Sequence, residues 1–364
     1  MEFPIITVIP NTMMNTKNGI IELYKINSDH ALIKVEFKKF IIYSWNILNG
    51  DDKPALNHTI GEFTKDEKKK LSKEGFYKEE LTKNLNKLLI DSYVANNEER
   101  IKNIGNRLKI LSEEEKKPVI FMFQELSLKS AKIMIQTFCK CDDKFISTIE
   151  AGNYYDVFGY KVILSSQDQV VYWVGGVDGA YKEHSKDELR LTIIPTHFGL
   201  YNFDLIYFES IKSFNEHPKK IELTGYKSQL LTRISYRDKI YTLVNLHFNY
   251  QTTIPEVCNF IEQLIKKKNL IIIGDFNNNI ELRLKDSIKE KFPDFIFNYK
   301  APEWSTFIKK MPSEEEKIVV GSSDILDQVL YNLDKDELYG DVSSYHKKYL
   351  KYKNKYIYLK KHSK

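Results

Sequence analysis

Four apolar stretches of the chain each end in polar residues that could bind a cation or move a proton. The endings are Asn46 in YSWNILNG, Glu125 in FMFQELS, His247 in LVNLHFNY, and Asp275 with Asn277 in IIIGDFNNN. Side chains at the carboxyl ends of neighbouring strands converge at one edge of a sheet. Carboxylate and amide oxygens suit a hard divalent cation, and an imidazole changes charge near neutral pH. The pattern therefore predicts one site assembled from distant segments.

Each ending also has an interpretation without chemistry. An apolar run that closes in Asn or Asp is a common route from a buried strand into a turn, so Asn46 could cap a turn and Glu125 could be a solvated acid. A lone histidine after an apolar strand is more often a core residue, although Asn245 and Asn249 flank His247 on the same strand face. Four unrelated polar endings have no shared structural reason, so we favour a functional site.

Alternating strands and helices are predicted to position these residues. MEFPIITVIP and FKKFIIYSWNIL predict strands. One amphipathic helix is predicted before the strand PVIFMFQE, and another between KIYTLVNLHFN and LIIIGDFN, with Pro255 in its first turn. Their apolar stripes are Ile101, Ile104, Leu108 and Leu111, and Val257, Phe260, Ile261, Leu264 and Ile265. SDILDQVLYN is predicted as one further strand, so the pattern indicates a sheet covered by helices.

Two regions depart from this alternation. From Gly50 to about Val94 the sequence is polar, with a capping box at Thr64 and Glu67, and we interpret it as a helical insertion. Residues 145–240 are rich in Tyr, Phe, Val and Ile between Gly and Asp residues, which favours strands.

The composition is typical of a soluble globular protein. Of 364 residues, 42% are hydrophobic and 29% charged, and the mean hydropathy is −0.42. No apolar run approaches the length of a membrane span, and the first ten residues lack the features of a signal peptide. Cys139, Cys141 and Cys258 are too few for a disulfide framework and lack zinc-ligand spacing. We expect free thiols in a reducing, cytoplasmic compartment.

The positive charge is concentrated at the C-terminal end. The net charge is +5, but residues 347–364 contain eight lysines and no acid, so 47 of the 55 basic residues and all 50 acidic residues lie in the remainder. The body of the protein is therefore not a strongly basic, DNA-coating surface. The tail is expected to bind nucleic acid, with an anionic membrane surface or a protein partner as alternatives.

The motifs resemble those of the endonuclease/exonuclease/phosphatase superfamily, which has the DNase I-like fold. The matching blocks run in the family's order from Asn46 to about His346, and GDFN together with QE and NLH is a fairly specific set. The resemblance implies an α/β fold of two packed mixed β-sheets with outer helices, forming a four-layer sandwich. It implies a catalytic domain over residues 1–346, with the helical insertion at about 50–94, followed by the Lys/Tyr-rich tail at 347–364.

The resemblance also implies a divalent-metal-dependent phosphodiesterase or phosphatase, with Mg²⁺ as the expected ion and Mn²⁺ as the alternative. A hard cation neutralises the non-bridging phosphate oxygens, and Glu125 with Asn46 would hold it. Asp275 would orient or deprotonate the attacking water, and Asn277 would donate to a phosphate oxygen.

His247 would contact the phosphate and could protonate the leaving oxygen, with Asn249 also facing the phosphate. Family members pair a second histidine with a strand aspartate, for which Asp327 in ILDQVLY is the match and Asp324 the rival.

The second histidine itself departs from the family pattern. It should lie in Ser-Asp-His, whereas this chain has Ser344-Tyr345-His346. Tyr345, Tyr349, Tyr352, Tyr356 and Leu359 recur at intervals of three and four, which would instead place His346 on a lysine-rich tail helix. The remaining histidines match no motif and are interpreted as surface residues: His30, His58, His184, His197, His217 and His362.

The tail and the tyrosine-rich loops favour nucleic acid as the substrate, and hence a nuclease. Hydrolysis of a phosphoinositide or of sphingomyelin is the enzymatic alternative, because one fold serves several substrates. A catalytically impaired binding protein of the same fold is the third hypothesis, motivated by Tyr345 in place of an acid.

Overall fold

The computed structural model describes residues 4–8, 28, 30, 32–48, 97–175, 181–186, 188–209, 212–214, 221–248, 252–264, 267, 269–277, 287, 290–291, 298–300, 307–312, 318–324 and 327–333. For Val8 and for the strands within 169–186, 207–226 and 298–328, only the backbone is described. The predicted insertion at about 50–94, the tail at 347–364, Asn249 and His346 lie outside these ranges.

Within these ranges, one sheet contains seven strands in the order β1-β2-β3-β4-β9-β6-β5. The parallel neighbours are β3 and β4, and the other neighbours are antiparallel. The strands are β1 (Ile5–Val8), β2 (Ile33–Glu36), β3 (Ile41–Asn46), β4 (Val119–Leu126), β5 (Tyr154–Val157), β6 (Tyr160–Leu164) and β9 (Leu189–Pro195).

A second sheet contains nine strands of the described chain, in the order β15-β18-β14-β13-β12-β7-β8, with β10 and β11 also paired to β12. Here β13 and β14 are parallel. The strands are β7 (Gln169–Gly175), β8 (Tyr181–Lys186), β10 (Gly199–Glu209), β11 (Lys212–Phe214), β12 (Ile221–Tyr236), β13 (Lys239–His247), β14 (Leu270–Asp275), β15 (Asn298–Lys300) and β18 (Asp327–Asn332). A separate pair is formed by β16 (Phe307–Pro312) and β17 (Ile318–Asp324).

The two large sheets pack face to face through one apolar core. Ile42 and Met122 from the first sheet and Leu243 and Ile273 from the second belong to the same buried cluster. Strands buried on both faces read as continuous apolar runs, which explains segments such as LIIIGD in β14.

Helices cover the outer face of each sheet. In the described part of the chain they are α1 (Asn97–Glu114), α2 (Leu128–Cys139), α3 (Asp143–Ser147) and α4 (Ile254–Leu264). The first three pack with the outward side chains of β3 and β4, such as Trp45 and Phe121, and α4 packs with those of β13 and β14. The predicted fold class of two packed mixed β-sheets with outer helices is confirmed.

The sequence patterns locate α1 and α4 correctly. Ile101, Ile104 and Leu108 of the first predicted stripe are buried. At the start of α4, the Thr253 backbone N–H and hydroxyl both donate to Glu256 Oε2, at 2.6 and 2.7 Å, which caps the helix. No helix within the described ranges is both long enough and apolar enough to cross a membrane.

The strand predicted for SDILDQVLYN is confirmed over Asp327–Asn332, but Ser323 and Asp324 at its start belong to another strand. Ser323 and Asp324 belong to β17 and pair with β16, whereas β18 starts at Asp327 and pairs with β14 and β15. The two halves of the segment therefore have different hydrogen-bonding partners, which an apolar pattern does not reveal. The three cysteines are free, buried thiols, as expected.

Candidate active site

Glu125 enters the site because β4 carries a bulge at its end. The β4–β9 register shifts between Phe123 and Leu126, and Glu125 has a left-handed φ of 56°. Phe123 and Leu126 both face the helices. Without the extra residue, alternation would turn Glu125 towards the helices as well. The bulge instead aims its carboxylate at the strand ends, where 14% of the side chain is exposed.

Asp275 lies level with His247 because β13 and β14 pair in parallel, with Leu246 opposite Gly274 and His247 opposite Asp275. Gly274 has a φ of +142°, and a Cβ at this position would overlap the carbonyl oxygen of Leu246. Only glycine tolerates both conditions. The Gly-Asp pair of the GDFN motif thus has a backbone reason as well as a chemical one.

Asn46, Glu125, His247 and Asp275 come together between the two sheets. Asn46 Nδ2 donates to Glu125 Oε1 and to Asp275 Oδ2, both at 2.9 Å. His247 Nε2 lies 3.1 Å from Glu125 Oε1 and 3.8 Å from Asp275 Oδ2. Asp275 is fully buried. Side chains 229 residues apart therefore share one pocket.

Asn277 supports the strand ends. Its backbone N–H donates to Asp275 Oδ1 at 2.7 Å, and its Nδ2 donates to the carbonyl of Phe248 at 2.6 Å. Its φ of 52° is one that Asn tolerates better than most residues. Asn277 ties the end of β14 to the end of β13, and its contact with phosphate stays a prediction.

The backbone of Asp327 pairs in register with Asp275, which puts the two residues at the same edge of the second sheet. The roles predicted for Asp327, Asn249 and His346 stay predictions.

Polar side chains from β12 and from β9 of the opposite sheet hold the backbone of His247. Gln229 Oε1 accepts from the His247 N–H at 2.7 Å, and Gln229 Nε2 donates to the His247 carbonyl at 2.9 Å. Arg190 Nη2 donates to the same carbonyl at 3.2 Å, and its Nη1 pairs with Asp168. All of these side chains are buried, so His247 has little freedom to move.

The ring of His247 faces the ammonium of Lys227. Lys227 Nζ lies 3.2 Å from both ring nitrogens. In the plane of the ring, an atom at equal distances from the two nitrogens would overlap ring carbon atoms such as Cε1. The ammonium therefore lies over the face of the ring. Burial, followed by the charge of Lys227, holds the pKa of His247 well below its usual value, while Glu125 acts in the opposite direction.

The interpretation of His30 as a surface residue is wrong. Its exposure is 4%, and its Nε2 lies 3.7 Å from Asp275 Oδ2. His30 is buried because of a contact with a residue distant in sequence: its carbonyl accepts from Trp45 Nε1 at 3.0 Å. An isolated histidine before β2 gives no sequence signal of this contact. His197 is exposed, as expected.

Lys227, Gln229, Arg190 and Asp168 were also missed from the sequence. They lie in the strand-rich middle of the chain, where the pattern does not fix strand boundaries. The sequence alone does not show that a buried polar residue in a strand has a functional contact, because its hydrogen-bonding partner lies far away along the chain.

The donor atoms suit a divalent cation. Glu125, His247 and Asp275 each offer one ligand atom, and these atoms all lie within 4.8 Å of one another. Two carboxylates with one imidazole match the preferences of hard and borderline divalent ions. Asn46 differs, because its Nδ2 faces the carboxylates while its Oδ1 accepts from the Leu48 N–H at 3.1 Å. An oxygen ligand from Asn46 would require its amide to turn over.

No protein-family profile matches the chain, and no curated protein matches its sequence. Among solved structures, an endonuclease/exonuclease/phosphatase from Bacteroides vulgatus aligns at 12% identity, covering 63% of this chain and 78% of its own, with a TM-score of 0.38. A family protein from Leptotrichia buccalis aligns at 13% identity, with 64% and 81% coverage and a TM-score of 0.38. A Bacteroides thetaiotaomicron mannosyl-6-phosphatase aligns at 14% identity, with 64% and 77% coverage and a TM-score of 0.38.

The chain is similar to structures of the endonuclease/exonuclease/phosphatase family. This is the family that the strand-end motifs resemble.

Proposed function

We propose that the protein is a divalent-metal-dependent phosphoesterase that hydrolyses phosphate esters by direct attack of water, with nucleic acid as its substrate. One observation carries the proposal: Glu125, Asp275 and His247 present their donor atoms within 4.8 Å of one another where the two sheets meet. Burying an ionised acid costs free energy unless the acid is paired or binds a cation. A site for phosphoester hydrolysis gives both acids and the imidazole a role in binding the ion, the water and the phosphate.

Glu125 is the proposed metal ligand, because it is the most exposed of the three side chains and an ion can reach it from solvent. When bound, Mg²⁺ or Mn²⁺ would neutralise charge on the phosphate oxygens. Asn46 links this acid to Asp275 through one amide nitrogen. That link fixes the distance between the ion-binding carboxylate and the proposed base.

Asp275 is the proposed base for the attacking water. Asn277 occupies Oδ1, so Oδ2 is the oxygen that faces Asn46 and His247. An acid with one oxygen fixed by the backbone presents the other in a defined direction. His247 then contacts the phosphate. Asp327, which lies at the same sheet edge as Asp275, is proposed to complete the site together with His346.

Two features support an anionic polymer as the substrate. The tail at 347–364 holds eight lysines. A surface groove on the helical side of the first sheet is also lined by the charged residues Lys129, Lys132 and Glu98. Cationic side chains of this kind bind the phosphates of a nucleic-acid backbone.

The test is hydrolysis of DNA, RNA, phosphoinositides and sphingomyelin in Mg²⁺, in Mn²⁺ and in EDTA. The wild-type protein should cleave DNA or RNA only with metal, and Asp275→Ala should not. A His197→Gln variant, which changes an exposed histidine, is the matched control and should remain active. Turnover of a lipid substrate alone would identify the second enzyme class. If none of these substrates is hydrolysed, the result would favour a catalytically impaired binding protein, the hypothesis motivated by Tyr345 in place of an acid.

A further inference from the structure

We infer that His30 is a positioning residue for this reaction: its imidazole holds the Oδ2 atom of Asp275 towards the attacking water. The inference rests on the proposed function, and it assigns a role to a residue outside all the strand-end motifs.

The two oxygens of Asp275 have different surroundings. Oδ1 accepts from the Asn277 backbone N–H at 2.7 Å. Oδ2 accepts from Asn46 Nδ2 at 2.9 Å and lies between two of the described imidazoles, 3.7 Å from His30 Nε2 and 3.8 Å from His247 Nε2. His247 also contacts Glu125, whereas the Nε2 atom of His30 faces the Asp275 carboxylate. His30 is therefore placed to act on the proposed base.

The chain before β2 is anchored so that this ring cannot drift. The hydroxyl of Ser28 donates to the carbonyl of Asn46 at 2.6 Å and accepts from the His30 N–H at 3.1 Å. The carbonyl of His30 accepts from the Trp45 indole at 3.0 Å. Both backbone groups of His30 are thus tied to the end of β3. The strand end that supplies Asn46 to Oδ2 therefore also anchors His30.

Packing alone does not explain an imidazole at this place. His30 and Asp275 are both buried, and burying two polar groups is less favourable than filling the space with an apolar side chain. The separation of 3.7 Å exceeds a direct hydrogen bond. Catalytic hydrogen bonds are often long before the substrate binds and shorten in the loaded complex. A small closure would let Nε2–H donate to Oδ2.

The test uses bis(p-nitrophenyl) phosphate with Mg²⁺ and three variants. His30→Phe keeps the ring and removes the donor, and should lower kcat about tenfold or more with KM within about twofold. His30→Gln restores an N–H donor near the former Nε2 and should recover most of the lost kcat. His197→Phe makes the same chemical change at an exposed histidine and should leave both constants unchanged.

A second measurement does not depend on turnover. Thermal unfolding of His30→Phe, Asp275→Asn and the double variant should give Tm shifts that do not add, because side chains in contact are coupled. Additive shifts would overturn the inference. So would a His30→Phe enzyme as active as wild type, or a His30→Gln variant no better than His30→Phe. A wild-type protein without metal-dependent turnover of any phosphoester overturns the proposed function itself, which is a separate result.

Discussion

The side-chain amide of Gln229 binds both backbone groups of His247: its Oε1 accepts from the His247 N–H at 2.7 Å, and its Nε2 donates to the His247 carbonyl at 2.9 Å. The pairing of β12 with β13 ends at Leu230 and Asn245, so no backbone partner from β12 reaches His247. The side-chain amide of Gln229 takes the place of this missing backbone partner. It thereby fixes the end of β13 at His247.

Gln229→Leu should therefore loosen His247. The change leaves a buried N–H and carbonyl with fewer partners, so the free energy of unfolding should fall by about 1–3 kcal/mol. Turnover should fall by about tenfold or more, because catalytic geometry is lost. Thr232→Val is the matched control on the same strand, since the Thr232 hydroxyl has no hydrogen-bond partner in the part of the chain described. Urea unfolding and initial rates measure both effects, and equal losses in the two variants would contradict the prediction.

Gly274→Ala should be among the most damaging single-methyl changes in the protein. The added Cβ meets the carbonyl of Leu246 and the φ of +142° is unfavourable for any other residue. Gly159 has a φ of +90° and open space around an added Cβ. Substitution there therefore measures the cost of the backbone conformation without a steric overlap. Gly159→Ala should lose about 1–2 kcal/mol, and Gly274→Ala should lose more, together with metal-dependent activity. Chemical denaturation compares the two, and similar losses would refute the close-approach argument.

Breaking the buried Arg190–Asp168 pair should be strongly destabilising. Arg190→Met leaves the Asp168 carboxylate buried, with the Ser228 N–H, at 3.1 Å, as its only donor within the described residues. Removing one partner of a buried pair costs about 3–5 kcal/mol. Lys102→Met removes one partner of the exposed Glu98–Lys102 pair on α1 and should have little measurable effect on stability. Activity should fall with Arg190→Met as well, because Arg190 also supports the carbonyl of His247.

The Cys139 thiol should be inert in the folded protein. Burial, followed by the neighbouring Cys141, raises the pKa of Cys139 from 9.0 to about 12. Because the folded state retains the proton, its contribution to stability is fully present below pH 9 and is lost as the pH rises towards 12. Reaction with a thiol reagent at pH 8 should therefore require unfolding. Cys139→Ala should weaken the alkaline loss of stability, and an unchanged pH profile would contradict this assignment.

The parts of the fold that the sequence predicts are those governed by local periodicity. Apolar stripes located α1 and α4, and the apolar runs located β3, β4, β13 and β14. Their carboxyl-terminal residues then indicated the site, because parallel neighbours place such residues at one edge. The polar residue types alone suggested a cation and a proton-transfer group.

The parts that the sequence does not predict depend on contacts between distant segments. The bulge that redirects Glu125 arises from pairing with β9, which PVIFMFQE does not encode by itself. His30 reaches the site through bonds made by Trp45 and Ser28. Gln229 supports His247 through a buried side-chain amide in a strand whose limits the pattern leaves open.

One amide nitrogen, that of Asn46, joins an acid of the first sheet to an acid of the second. The candidate site consequently lies at the junction of the two sheets, and its geometry depends on how the sheets are aligned. Asn46 and Glu125 come from the first sheet, and His247 and Asp275 come from the second. The candidate site is therefore complete only when the two sheets are packed together.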